Sequence, residues 1–305
     1  MPRGTPFVKV QQTRAFGAEV VIDGETYDEA SGHALKICEE RELTFVHPFD
    51  DLDVIAGAGT VALELLADAP DVDTLIVPIG GGGLISGIAA AARALKPDIQ
   101  MVGVQAELYP SMYAKFTRSN LPCAGDTIAE GIAVKAPGML TSGIINQVVD
   151  DIVLVPERAI ESAISLLVES EKTVAEGAGA TGLAALLAYP ERFAGRTVGL
   201  VITGGNIDTH LLANVLLREL ARSGRMTRLR ISLQDRPGAL AAVMKLFDEH
   251  RVNIVEVYHQ RIFTSLPAKD AAIDVECEAR DAAQLERLSE ALHAAGFAVH
   301  PVAIE

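Results

Sequence analysis

Along the first 220 residues, short runs of β-branched and other apolar residues alternate with stretches whose apolar positions recur every three or four residues. The first pattern fits buried strands, the second fits helices with one apolar face. Residues 74–79, 100–104, 151–155 and 197–202 read as strands of a parallel sheet with covering helices. Upstream, 5–16 predicts a helix that Pro6 opens and Gly17 ends, and 27–40 predicts an amphipathic helix. Residues 19–22 and 44–46 predict two further strands. Gly57-Ala-Gly-Thr60 is expected to lead into a helix ending near Leu66. The stretch 107–150, broken by Pro110, Pro122, Gly125, Gly131, Pro137 and Gly138, reads as one long irregular loop, and such loops are usually functional. Helices are then expected from Pro156 to about Lys172, over 183–188, and from an Asp208 cap to Leu220.

Past Arg222-Ser-Gly-Arg225 the rhythm changes. Strands are expected over 227–233, 253–259, 271–277 and 298–304, with helices over 239–250 and 283–295. That β-α-β-β-α-β order is the ferredoxin-like arrangement. The short polar linker divides the chain into 1–222 and 226–305, and the first part into a small lobe of about 1–50 and a large lobe of about 51–222. A small lobe with two strands is too slight for a stable sheet, which is a first hint that the chain starts late.

Composition narrows the classes. The 305 residues are 49% hydrophobic and 22% charged, an ordinary globular balance. A net charge of -15 argues against a nucleic-acid partner and for a soluble cytoplasmic protein. No apolar run is long enough to span a bilayer, and nothing at the start reads as a signal peptide. Cys38, Cys123 and Cys277 are scattered, and no metal spacing appears among His and Cys.

The candidate chemistry begins at Gly80, Gly81, Gly82, Gly83 and Leu84, between a strand and a helix. Bare glycines let main-chain N–H groups converge on an anion, and the helix that follows points its positive end at the same place. The dinucleotide fingerprint G-x-G-x-x-G fails in every register, and Ile88 and Ala89 stand where a P-loop needs Lys and Ser/Thr. A phosphate cradle and a tight turn that packs helix on strand both remain open. Elsewhere, Thr203-Gly-Gly-Asn206 ends a strand, and Asp235-Arg-Pro-Gly238 makes a β-α turn.

These motifs fall in a series with the 49–60 stretch from Phe49 to Thr60, Ile128-Ala-Glu-Gly-Ile-Ala133 and Glu176-Gly-Ala-Gly-Ala180. In that order they resemble the threonine ammonia-lyases (threonine dehydratases), pyridoxal-phosphate enzymes of fold type II with a C-terminal ACT regulatory domain. The resemblance covers essentially all 305 residues. It implies an α/β, tryptophan synthase β-like body, truncated at its N-terminus, followed by a βαββαβ ACT domain. It also implies pyridoxal 5'-phosphate as cofactor, with the Gly80–Gly83 run and Leu84 on its phosphate. Thr203 would face the pyridine nitrogen, with the Gly131 backbone beside the ring and Glu176 near the pocket. A neutral hydroxyl at that nitrogen, where an Asp would keep it protonated, would favour loss of the β-hydroxyl over transamination. Glu130 is open between a site role and a solvated loop carboxylate, and Thr203 between its role and a plain strand-end hydroxyl. Ala58 departs from the Gln of many relatives. Met112 and Tyr113 follow Glu107 where a second carboxylate would help a cation, so no metal is expected.

In the ACT unit the resemblance points to Asp235, Arg236, Pro237 and Gly238 as an amino-acid effector turn, with Asn253 and Ile254 close by. The reaction implied is β-elimination of water from L-threonine (or L-serine), giving 2-oxobutanoate and ammonia from threonine, in isoleucine synthesis or threonine catabolism. Partners would be the small substrate, the effector and further copies of the chain in a dimer or tetramer. One departure is large. The family's Schiff-base lysine, in Ser-x-Lys-x-Arg, and its Ser-x-Gly-Asn-His segment are both absent, and Lys9 reads as a surface residue. Met1 thus reads as an internal methionine at a strand's end, and this chain is expected to be catalytically inactive. A serine racemase-like enzyme and a non-catalytic amino-acid-binding regulator remain as alternatives.

Overall fold

The computed structural model describes all residues except Pro6, Thr26, 263–266 and 303–305. The helix start at Pro6 and the last two residues of the expected 298–304 strand therefore lie outside the described residues. Helices α1 (Phe7–Ala15) and α2 (Tyr27–Glu40) form where the apolar spacing predicts them. The strands expected over 19–22 and 44–46 do not form. A strand exists by its ladder, and two short runs give each other too few partners. Instead the Met1 amino group donates to Val21 O (2.7 Å) and Asp23 N donates to Met1 O (3.0 Å).

The body is a parallel sheet of β1 (Thr74–Pro78), β2 (Gln100–Ala106), β3 (Asp151–Val155) and β4 (Val198–Leu200) in the order β3-β2-β1-β4. β4 is shorter than the 197–202 run predicts. Alternation puts successive residues of β1 into different cores: Leu75 and Val77 on one side, Ile76 on the other. Both faces are covered, so the strands are continuously apolar. Residues of α3 (Leu52–Asp68), α4 (Gly83–Leu95) and α6 (Met139–Val148) fill the first core. Residues of α7 (Glu157–Leu166), α8 (Gly177–Ala188) and α9 (Thr209–Arg222) fill the second.

Three expectations are corrected here. Gly57 and Gly59 lie inside α3, whose cap is Asp51, accepting from Asp53 N and Val54 N. Gly59 and Gly87 instead bring α3 and α4 together; a Cβ on Gly87 would lie 2.1 Å from Ile55 O. The stretch 107–150 is not one loop: it holds α5 (Ser111–Thr117), a 3-10 turn (Glu130–Ile132) and α6. The glycines after Glu176 are the first turn of α8 rather than its approach, and α7 gives way at Leu167–Glu171 to a π turn ended by Lys172 at φ +54°.

Beyond α9 a second sheet forms from β5 (Met226–Gln234), β6 (Asn253–Gln260), β7 (Asp270–Glu278) and β8 (Ala298–Pro301), antiparallel in the order β6-β7-β5-β8. Leu229, Ile231 and Leu233 of β5 pack under α10 (Ala239–Glu249) and α11 (Ala282–Ala294), around Phe247 and Leu288. This is the ferredoxin-like order that the sequence predicts.

Candidate active site

The chain builds β1, β2 and β3 toward one edge, then returns to lay β4 on the opposite side of β1. The carboxyl ends of β1 and β4 thus flank the point where strand order reverses, the place where open α/β sheets bind ligands. The glycine run leaves β1 there, and Thr203 follows β4.

Close backbone approaches join the two. A Cβ on Gly80 would come within 3.2 Å of Ile132 Cα and 3.3 Å of Gly131 O. One on Gly131 would lie 3.3 Å from Glu176 Oε1, and one on Gly204 only 2.6 Å from the same oxygen. Glu176 N donates to Gly204 O at 2.9 Å, so the first turn of α8 is tied to the segment after β4. Gly177 has no room for a side chain, since a Cβ would be 2.1 Å from Ile128 O. The fold therefore sets Gly80, Gly131, Glu176 and Thr203-Gly204 in one row. Thr203 itself is exposed.

A cavity of about 150 Å³ opens beside this row, lined among others by Lys9, Glu130, Gly131, Glu176, Ala178 and Asn206. Lys9 is partly exposed and also lines this cavity, its Nζ 3.9 Å from Glu130 Oε2. The cavity does not reach the glycine run. The Phe49 ring lies on Gly81, where a Cβ would be 2.3 Å from it, and the Phe49 backbone crowds Gly83. The expectation that four glycines leave the turn uncovered is thus corrected: two of them make room for Phe49. Gly82 adopts φ +97° and is the cap residue of α4, with no side chain to bond the helix's first amides.

Those amides have no intrahelical acceptor, and the dipole of α4 adds positive potential at the same point. They suit a phosphate. The Glu176 carboxylate fills the space between Gly131 and Gly204, and the cavity wall at Gly131 and Glu176, free of a side chain at Gly131, suits the face of a flat polar ring. The residues present fit a phosphorylated aromatic cofactor.

Comparison with known proteins agrees. The family model described as Pyridoxal-phosphate dependent enzyme matches residues 1–204. The chain belongs to this family. A second family model, the ACT domain, matches residues 227–297. The L-threonine ammonia-lyase of Thermotoga maritima is 41% identical over 304 residues, which cover 99% of this chain and 76% of that protein. Among solved structures, threonine deaminase isoform 2 from Solanum lycopersicum aligns with a TM-score of 0.66 and 33% identity, over 70% of this chain and 64% of that one. Maize serine racemase aligns with a TM-score of 0.64 and 31% identity, over 72% and 69%. This chain thus spans about two-thirds to three-quarters of the length of these relatives. Pyridoxal phosphate is the cofactor of this pyridoxal-phosphate dependent enzyme family.

In the ACT unit, Gly238 at φ +88° caps α10, and Asp235 is paired with Arg261 at 2.9 Å. A cleft beside the turn is lined by Arg236, Pro237, Gly238, Asp270 and Phe297. Asn253 and Ile254 are not close by. Gln234, next to the turn, pairs with Asp270 at the start of β7, whereas Asn253 pairs with Glu278 at its end. The two are separated by the length of β7, roughly 27 Å at the usual rise per residue. The helix between them runs back along the sheet, which sequence proximity alone does not convey.

Proposed function

We propose that this chain is the body and regulatory unit of a cytoplasmic pyridoxal-phosphate dependent ammonia-lyase acting on L-threonine or L-serine. The observation that carries the reading is the row from Gly80 through Gly131 and Glu176 to Thr203 at the strand-order reversal. Its likeness to L-threonine ammonia-lyases supports the substrate class. When bound, the cofactor supplies an electron sink for charge left at the substrate α-carbon. The amides of Gly80, Gly81, Gly82, Gly83 and Leu84 hold its phosphate, backed by the α4 dipole. Gly131 would stand beside the ring, Thr203 would offer a neutral hydroxyl to its nitrogen, and Glu176, lying between Gly131 and Gly204, would fix the spacing of those two segments. Residues 1–222 form the lyase unit and 226–305 the regulatory unit.

No lysine in the sequence stands in the family's Ser-x-Lys-x-Arg context, so the 305-residue chain alone has no group assigned to take the α-proton. Incubated with pyridoxal phosphate, it should bind the cofactor in equilibrium dialysis yet form no 2-oxobutanoate from L-threonine and no pyruvate from L-serine. Absence of cofactor binding would sink the reading, and keto acid from this chain alone would refute its inactivity. D-serine among the products would favour a racemase, which the 31% identity to maize serine racemase makes worth assaying.

The effector turn and Asn253 lie at opposite ends of one sheet. A single amino acid can touch both only if two chains pair so that the turn of one meets the β6 start of the other. Strand β6 is an edge strand with Val255, Val257 and Tyr258 exposed, which supports such a homo-oligomer.

A further inference from the structure

The glycine run is gripped from behind. Thr141 Oγ1, fully buried in the first turn of α6, donates to Gly81 O at 2.7 Å, and Gly138 N donates to the same oxygen at 3.3 Å. That first turn is itself held by Asp50, whose carboxylate accepts from Met139 N (3.0 Å) and Thr141 N (3.1 Å). Ser86 Oγ of α4 donates to Thr141 O at 3.4 Å, closing α4 against α6. Asp50 directly follows Phe49, the residue packed on Gly81. One stretch of chain therefore sits on the cradle with its ring and braces it through α6 with its carboxylate.

The consequence follows from peptide geometry. In a trans, planar peptide the carbonyl of one residue and the N–H of the next point in opposite directions. With Gly81 O fixed toward α6, Gly82 N–H is aimed away from α6. Glycine peptides on either side have little steric resistance to rotation, so this orientation is not set by the run itself. We propose that Thr141 and Asp50 are positioning residues for the phosphate cradle: they lock the Gly81–Gly82 peptide so that its N–H faces the anion. The inference rests on the cofactor reading above and adds residues that the glycine run does not contain.

The discriminating measurement compares pyridoxal phosphate with pyridoxal, which lacks the phosphate, on the same 305-residue chain by quenching of intrinsic fluorescence or equilibrium dialysis. The unsubstituted chain should prefer the phosphorylated form strongly. Thr141→Val should lose about tenfold of that preference, the scale of a lost buried hydrogen bond, with pyridoxal affinity nearly unchanged. Thr141→Ser, which keeps the hydroxyl, should restore it. Asp50→Asn should lose part of the preference and carries the same test if Thr141→Val does not fold. A Thr141→Val or Asp50→Asn chain that is folded and keeps the full preference overturns the positioning role while leaving the cradle intact. An unsubstituted chain that binds both forms equally overturns the cradle and the positioning role together. A uniform loss for both ligands marks the residues as merely structural and also overturns the proposal.

Discussion

At the scale of single residues, the buried thiol of Cys277 makes the sharpest statement about the ACT core. Burial pushes its pKa from about 9 up to about 12, because the thiolate would be left without water. The folded unit therefore keeps the proton more tightly than the unfolded chain. Stability from this group is complete below about pH 9 and is lost as pH rises toward 12. Urea midpoints of the intact protein should fall between pH 8 and pH 11, and Cys277→Ala should flatten part of that slope despite its packing cost. At pH 8 a thiol reagent should modify Cys38 and Cys123, both partly exposed, well before Cys277. Residue identity alone announced the cradle, because four successive glycines are a rare feature with a backbone meaning. It could not announce Phe49 and Thr141, which touch the run, or Asp50, which holds Thr141, because these contacts span up to 91 residues of chain. Nor could it place Lys9, which reads as surface by type but stands at the cavity wall through the position of α1.

At the scale of elements, periodicity located most strands and helices because buried strands and one-faced helices carry their packing in their spelling. It misread glycine. Gly57 and Gly59 look like residues leading into a helix, yet they lie inside α3, where Gly59 faces Gly87 of α4. Local propensity lost to packing there, since two helices in close contact need residues without side chains. Substitution should separate these roles. Gly87→Ala would drive a Cβ against the Ile55 carbonyl and the Gly59 backbone, so it should destabilise the protein by roughly 1–3 kcal/mol or more. Gly57→Ala, on the open side of α3 with nothing within 4 Å, should stabilise by about 0.5–1 kcal/mol. Denaturant midpoints for the two single variants should move in opposite directions. Equal shifts would mean that close approach is not what keeps glycine at position 87.

At the scale of the whole molecule, the geometry of the second sheet turns the regulatory proposal into a test of stoichiometry. Since the Asp235–Gly238 turn and Asn253 are held about 27 Å apart within one chain, an effector site built from both must draw on two copies. In a two-fold pair, two such sites form, each taking its turn from one chain and its Asn253 from the other. Arg236→Ala and Asn253→Ala should each weaken both sites when present in every subunit. Mixing the two variants after unfolding and refolding gives pairs in which one site carries both lesions and its twin carries neither. Random assortment makes half the pairs mixed, so about a quarter of the unsubstituted number of full-affinity sites should return. Calorimetric titration with L-isoleucine, L-valine and L-serine as probes reads that number directly. A site confined to one chain predicts that mixing changes nothing, because each chain keeps its own site as it was and the number stays the average of the two variants measured alone. Recovery would also show that the subunits pair through the end of the sheet that β6 shares with the turn of its neighbour.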